Sequence, residues 1–199
     1  MKNFSLPLLI ALVFLLNGLI YLRAVMTIED VDLIFGECAR NSGRTAAAIN
    51  LSILLMVGHV GLKSIYKEES QKNLFRTLIT LFAINHLIHF YFVTQNFKSY
   101  GIELNISEQL QGFITFQFLL ITPFILWSYS KLSKLLYFYI LLHLFNVTYF
   151  IGKSFYGRYK PVDPAYLHRI GVLVMISAVI YILYREYKDR KIKILSESE

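Results

Sequence analysis

Two histidines stand near the middle of long apolar runs: His86 in LFAINHLIHFYF and His143 in YFYILLHLFNV. An ionisable side chain at membrane depth is costly and by default marks a site. Imidazole there can ligate a metal, carry a proton or hydrogen-bond a neighbouring helix. His59, His89 and His168 complete the five histidines of the chain. The single cysteine, Cys38, cannot pair within one chain, and no CxxC or Cys/His zinc spacing occurs, which excludes an internal disulfide and iron–sulfur ligation by a monomer.

The elements that must position these residues follow from composition. At 199 residues, 56% hydrophobic and 16% aromatic, with four prolines and a mean hydropathy of +0.52, the chain has membrane rather than soluble values. The expected fold is all-α, a six-helix transmembrane bundle in a single domain over 1–199. Its spans are drawn at Phe4 to Leu22, Thr45 to Leu62, Thr77 to Thr94, Leu110 to Tyr129, Leu135 to Gly152 and Leu167 to Tyr184. Each approaches the roughly 20 residues a helix needs to cross about 30 Å of hydrocarbon. The first run is longer than a signal-peptide core and no small-x-small cleavage site follows it, so it is read as a membrane helix.

Twelve of the 20 basic residues fall on the side that holds both termini, among them Lys63, Lys67, Lys72, Arg76, Lys131, Lys134 and the tail YREYKDRKIKILSESE. The other side holds Arg23, Arg40, Arg44, Lys98, Lys153, Arg158, Lys160 and Arg169. The positive-inside rule then puts both termini, and the basic tail 185–199, in the cytoplasm. The net charge of +7 is what such loops and a tail near anionic headgroups produce, and it calls for no nucleic acid. The stretch from Arg23 to Arg44 reads as an outer loop that holds a short surface helix. The fifth linker, with Pro161 and Pro164, reads as an ordered segment at the outer interface.

Depth gives the two central histidines a common level. Entering at Arg76, the third helix carries His86 about 15 Å in, and entering at Lys134 the fifth carries His143 about 13.5 Å in, at 1.5 Å per residue. Two imidazoles at one depth suit the two axial positions of a haem iron. His89 shares a helical face with His86 at i+3 and lies about 19.5 Å deep. Depth prefers His86, and on that assignment His86→Ala or His143→Ala abolishes haem incorporation. The competing reading is a polar helix contact, in which these histidines bond Asn85, Asn146 or a carbonyl and serve packing alone.

ARNSGRTAAAINLSILL places Gly43-Arg44-Thr45-Ala46 before an apolar run, with His86 following Gly43 by 43 residues. Together with length, helix count and basic tail, this resembles the ferric reductase-like transmembrane domain family, and within it the small haem-binding membrane subunits that feed periplasmic methionine sulfoxide reductases. The resemblance implies six helices and one b-type haem held by His86 and His143, with iron as the metal. It also implies Arg44 as the arginine at the start of the second helix, and movement of electrons across a membrane, the bacterial inner membrane by that likeness. The family's second fifth-helix histidine has no counterpart here: Leu136 and Tyr156 stand on either side of His143. No Rossmann glycine motif follows the sixth helix, so the implied donor is a separate cytoplasmic flavin reductase, carrying FMN or FAD, or a membrane quinol. The basic stretches Lys63 to Arg76 and Lys131 to Lys134 would attract it. The implied acceptor lies in the periplasm or outside the cell, and the chain would be the membrane electron-transfer subunit of an oxidoreductase.

The remaining candidates read as structural. His59 lies at the cytoplasmic end of its helix and His168 at the outer surface. Trp127 and the stripe Tyr181, Tyr184 and Tyr187 fit an aromatic belt, and Pro123 a kink. Gly43 reads alternatively as a turn before the second helix and Arg44 as an interfacial anchor. A membrane di-iron desaturase fails on the count of histidines, and intramembrane proteolysis lacks GxSxG and HExxH. The runner-up is a cofactor-free polytopic protein, a small transporter or assembly factor.

Overall fold

The structure, a computed structural model, describes residues 5–102, 110–157 and 165–197, the last of these with side chains over 168–188. Lys2, Arg158, Lys160, Pro161 and Pro164 lie outside the described residues, so the fifth linker is described only as far as Gly157. The described chain is helical without a strand: α1 (Leu6–Thr27), α2 (Val31–Val60), α3 (Leu62–Lys67), α4 (Glu69–Ser99), α5 (Leu110–Ser128), α6 (Lys134–Gly157) and α7 (Ala165–Glu197). All but α3 contain a segment long and apolar enough to cross a membrane, so the chain is a multi-pass helical membrane protein. Large exposed apolar side chains such as Phe124, Leu135 and Leu173 would expose an unfavourable surface to water and suit lipid instead.

The helix boundaries have local causes. Pro7 stands in the first turn of α1, where its missing N–H costs nothing. Asp30 Oδ1 accepts the Asp32 N–H at 3.0 Å and so caps the start of α2. Gly61, at a φ of 83°, ends α2 in a backbone region that only glycine occupies readily. Gly101 does the same after α4, where its N–H bonds the Lys98 carbonyl and the Ile102 N–H bonds the Phe97 carbonyl, the paired pattern of a Schellman motif. Ser133 Oγ accepts the Leu136 N–H at 3.1 Å and opens α6. Pro123 is accommodated within α5, and one residue before it Thr122 donates to the Phe118 carbonyl.

The stretch from Arg23 to Arg44 is not a loop with a short surface helix. α1 runs on to Thr27, and everything from Val31 onward is the first half of α2. Glu37 stabilises the helix here: it pairs with Arg40 at 3.0 Å and accepts Asn41 Nδ2 at 2.7 Å, contacts at the i+3 and i+4 spacings that face one another on a helix. Gly43-Arg44-Thr45-Ala46 is therefore mid-helix, not the start of one. The stretch Lys63 to Arg76 is likewise α3 and the first turns of α4, with Lys72 and Arg76 buried and the Lys72 ammonium donating to the Ser130 carbonyl.

The chain divides into two compact units, 1–50 with 76–125 and 51–75 with 126–199. In the first, Ala24, Ile34, Cys38 and Phe92 form an apolar centre for α1, α2 and α4, with Phe35 packed against it, tilted to Tyr21 and edge-on to Tyr91. In the second, α6 packs along α7 and buries a stripe of Leu136, Ile140, His143, Leu144, Val147 and Ile151, the spacing of one helical face. Leu135, Phe138, Leu142 and Tyr149 stand exposed on its other side.

A chain of buried amides ties the first unit together. Asn17 on α1 donates to Val13 within its own helix and, at 2.9 Å, to Asn85 Oδ1 on α4, while Asn85 Nδ2 donates to the Ser42 carbonyl on α2 at 3.1 Å. Hydrogen bonds between membrane helices contribute about 0.6 kcal/mol each on average and up to about 1.7. Asn85→Leu removes two of them and is expected to lower stability by about 1–2 kcal/mol, and Asn17→Leu, which removes one, by less. Reversible unfolding in mixed micelles checks this, and equal stability of Asn85→Leu and wild type would contradict the central place given to Asn85.

Candidate functional site

The polar side chains of α4 are dealt out by its periodicity. Asn85 and His89 are four residues apart and share a face, and both reach Ser42 of α2. Asn85 takes the Ser42 carbonyl, while His89 Nδ1 lies 3.0 Å from Ser42 Oγ. The next residue, Gly43, lies beneath the His89 ring: a Cβ built there would stand 3.1 Å from His89 Cε1, closer than side chains ordinarily pack. The absent side chain lets the imidazole lie against the backbone of α2, so the glycine read as a turn before a helix is a packing surface within one.

His86, three residues earlier on α4, lies beside His89 among aromatic rings. Its ring lies 5.3 Å from that of His89, 5.7 Å from that of Phe82 and 6.4 Å from that of Phe116 on α5, centroid to centroid. Phe116 in turn stacks on Phe90 at 4.6 Å. Within this aromatic surround His86 Nδ1 is buried with no hydrogen-bond partner. A buried unpartnered ring nitrogen costs free energy, a cost this unit also bears at Asn17 Oδ1. Neither histidine is as deeply buried as Asn85, which is 0% exposed and carries no ionisable group.

In the second unit His143 is 1% exposed and stacks on Tyr139, one turn earlier on α6, at 6.5 Å and 16° between the rings. Its position on the buried stripe follows from the spacing of the leucines and isoleucines around it. His168 stands beside Phe155 at 5.6 Å. His59 is exposed, and its carbonyl accepts Arg185 Nη1 at 3.2 Å. Arg44 is exposed on α2 and donates to Asn41 Oδ1 at 3.1 Å, a contact within its own helix. Trp127, Tyr181, Tyr184 and Tyr187 are all exposed, and the Tyr181 ring also lies against Gly58, where a Cβ would stand 2.5 Å from its Cδ1.

The structure therefore brings His86 and His89 together and sets His89 on Ser42 and Gly43. Sequence reading missed Ser42 and Asn17 altogether, and it treated Asn85 only as a partner for a histidine. A signal was present: Asn85 and His89 at i+4 predict one polar stripe on α4, and such a stripe in a membrane helix needs a polar counterpart on a neighbour. No group of three or more His, Cys, Asp or Glu side chains that could hold a bare metal ion occurs among the described residues. On α4 the buried ring nitrogen of His86 and the ring of His89 stand side by side.

No known protein family matches the chain, and no curated protein or solved structure is significantly similar to it.

Proposed function

We propose that the chain is a b-type haem-binding membrane protein that passes electrons from a cytoplasmic flavin or quinol donor to an acceptor outside the membrane. The observation that carries this reading is the histidine pair of α4, one ring held against a second helix and the other with a buried, unpartnered nitrogen, inside a multi-pass helical protein. Ionisable groups at such positions are costly and are kept for a purpose. The second imidazole of this proposal is His143, and what supports the pairing is the sequence: its depth in the fifth span and the resemblance to the ferric reductase-like transmembrane domain family.

Bound haem would supply a one-electron centre. The contribution of this chain is to provide the two nitrogens, to fix their planes, and to keep water away with aromatic and aliphatic side chains such as Phe82 and Phe116. Among the described residues, the basic surface on which a donor would dock is narrower than the linkers suggest. Lys63, Lys67, Lys131 and Lys134 remain exposed, whereas Lys72 and Arg76 are withdrawn into the protein.

A second reading rests on the same contacts. The bonds joining Asn17, Asn85, Ser42 and His89 are by themselves adequate helix-packing interactions. On that reading the chain is a cofactor-free polytopic protein, a transporter or assembly factor.

Visible spectra of the detergent-purified protein, expressed with haem precursor and recorded oxidised and dithionite-reduced, separate the two. A sharp reduced α-band of b type at about one haem per chain is expected for a bis-histidine site. A featureless spectrum from a folded, monodisperse sample leaves the packing reading in place. His143→Ala and the double variant His86→Ala/His89→Ala should each lose haem, while His59→Ala and His168→Ala should keep it. Full haem in both of the first two would remove the ligand assignment.

A further inference from the structure

We infer that the second unit binds one anionic phospholipid, with an acyl chain in the groove between α2 and α7 and the phosphate at Arg185 and Lys188. The inference is independent of the haem reading. Leu51 and Leu55 of α2 line one side of this groove, and Ile170, Val174, Ser177 and Tyr181 of α7 the other, around a volume of about 350 Å³. The α7 residues recur at intervals of four and three, so a single face of that helix is turned to the groove. From Ile170 to Tyr181 is about 16 Å at 1.5 Å per residue, close to half of the roughly 30 Å of hydrocarbon and so the depth of one leaflet. The volume is too small to seat a helix, which is about 10 Å across, and falls at the lower end of small-molecule sites. Leu55, Ile170, Val174 and Tyr181 are exposed, and in a bilayer the medium that meets them is lipid chain, not water.

Charge selects the kind of lipid. The same face of α7 continues to Arg185 and Lys188, about 6 and 10 Å beyond Tyr181. Arg185 Nη1 donates to the His59 carbonyl at 3.2 Å, which fixes the guanidinium beside the end of α2, the helix that forms the other wall of the groove. Lys188 is exposed one turn further on. Among the described residues, this face of α7 carries no carboxylate to meet the cationic group of a zwitterionic lipid. The neighbouring Glu186 is turned instead to α6, where Tyr137 donates to it and Lys63 Nζ lies 6.0 Å from the centroid of the tyrosine ring. A guanidinium and an ammonium together suit phosphate oxygens, the first as a fork and the second as a point charge. The sequence adds Arg190, Lys191 and Lys193 against Asp189 immediately beyond, a basic cluster of the kind that favours anionic headgroups.

Tyr181 stands where the apolar and charged parts of the site meet, an amphipathic ring of the sort found at headgroup level. Its ring rests on α2 because Gly58 has no side chain there, so it closes the charged end of the groove without the two helices moving apart.

The test uses the full-length protein in phosphatidylcholine nanodiscs that carry a trace of phosphatidylglycerol or of phosphatidylcholine with a photoreactive diazirine on one acyl chain. Cross-linked peptides are located and counted by mass spectrometry. Phosphatidylglycerol should label the groove residues about 5-fold or more above phosphatidylcholine, whereas the two lipids should label the exposed Leu12 and Leu19 of α1 alike. Lys188→Gln and Arg185→Gln should each lower groove labelling by phosphatidylglycerol about 5-fold and leave that by phosphatidylcholine unchanged. The glutamine at 185 can still donate to the His59 carbonyl, and Lys188 is exposed, so both variants keep the packing of α7. Ser177→Trp, which fills the groove, should remove labelling there and keep it on α1. Equal labelling of the wild-type groove by the two lipids overturns the inference, as does wild-type selectivity in both glutamine variants. A groove labelled no more strongly than α1 holds annular lipid only, and an unlabelled groove is left to a second copy of the chain or to nothing; either result overturns it as well.

Discussion

The shortage of hydrogen-bond partners in hydrocarbon is the constraint on which the first unit depends. A polar side chain carried into that medium must find its partner on a neighbouring helix, because no water is present to supply one. Asn17, Asn85, Ser42 and His89 bond to one another across α1, α2 and α4, leaving Asn17 Oδ1 buried without a partner, and in doing so they define which faces of these helices meet. Apolar contact alone would do this poorly, since a leucine packs almost as well against a lipid chain as against another leucine.

The same network makes a functional reading of the histidines possible. A histidine that merely filled space would be replaceable by a phenylalanine of similar shape, and the ring surfaces of Phe82, Phe90 and Phe116 show how readily this region uses aromatic packing. His89 is distinguished by a contact of 3.0 Å with the Ser42 hydroxyl and by a glycine that leaves room for the ring. His86 is distinguished by the opposite, a buried nitrogen without a partner. Two histidines three residues apart thus have different chemistry although their sequence surroundings are nearly alike.

Charge is handled differently at the polar ends of the helices. Glu37, Arg40, Asn41 and Arg44 bond to one another along a single face of α2, so they carry that helix beyond its apolar segment instead of ending it. Lys72 and Arg76 are buried at the other end of α4, while Tyr137 of α6 donates to Glu186 of α7 and lies under the Lys63 ammonium. Such tyrosine, lysine and carboxylate groupings, polar at the tip and apolar along the stem, suit the boundary between lipid and water.

The sequence by itself determined the class. Hydropathy and length identify six crossings, and the helices contain all six, because an uninterrupted apolar run of about 20 residues has no other stable solution in a bilayer. It also singled out His86, His89 and His143, since an ionisable residue in such a run stands out without any structure. Where α2 begins was settled by contacts within the helix itself, and what its glycine is for by the His89 ring of α4. Local polarity from Glu29 to Arg44 resembles a loop, yet pairing at i+3 and i+4 and the cap at Asp30 make it helix. The tertiary structure alone joined Ser42 to His89 and Asn85 to Asn17, because those partners lie 47 and 68 residues apart and no periodicity within one helix specifies which face of another it will meet.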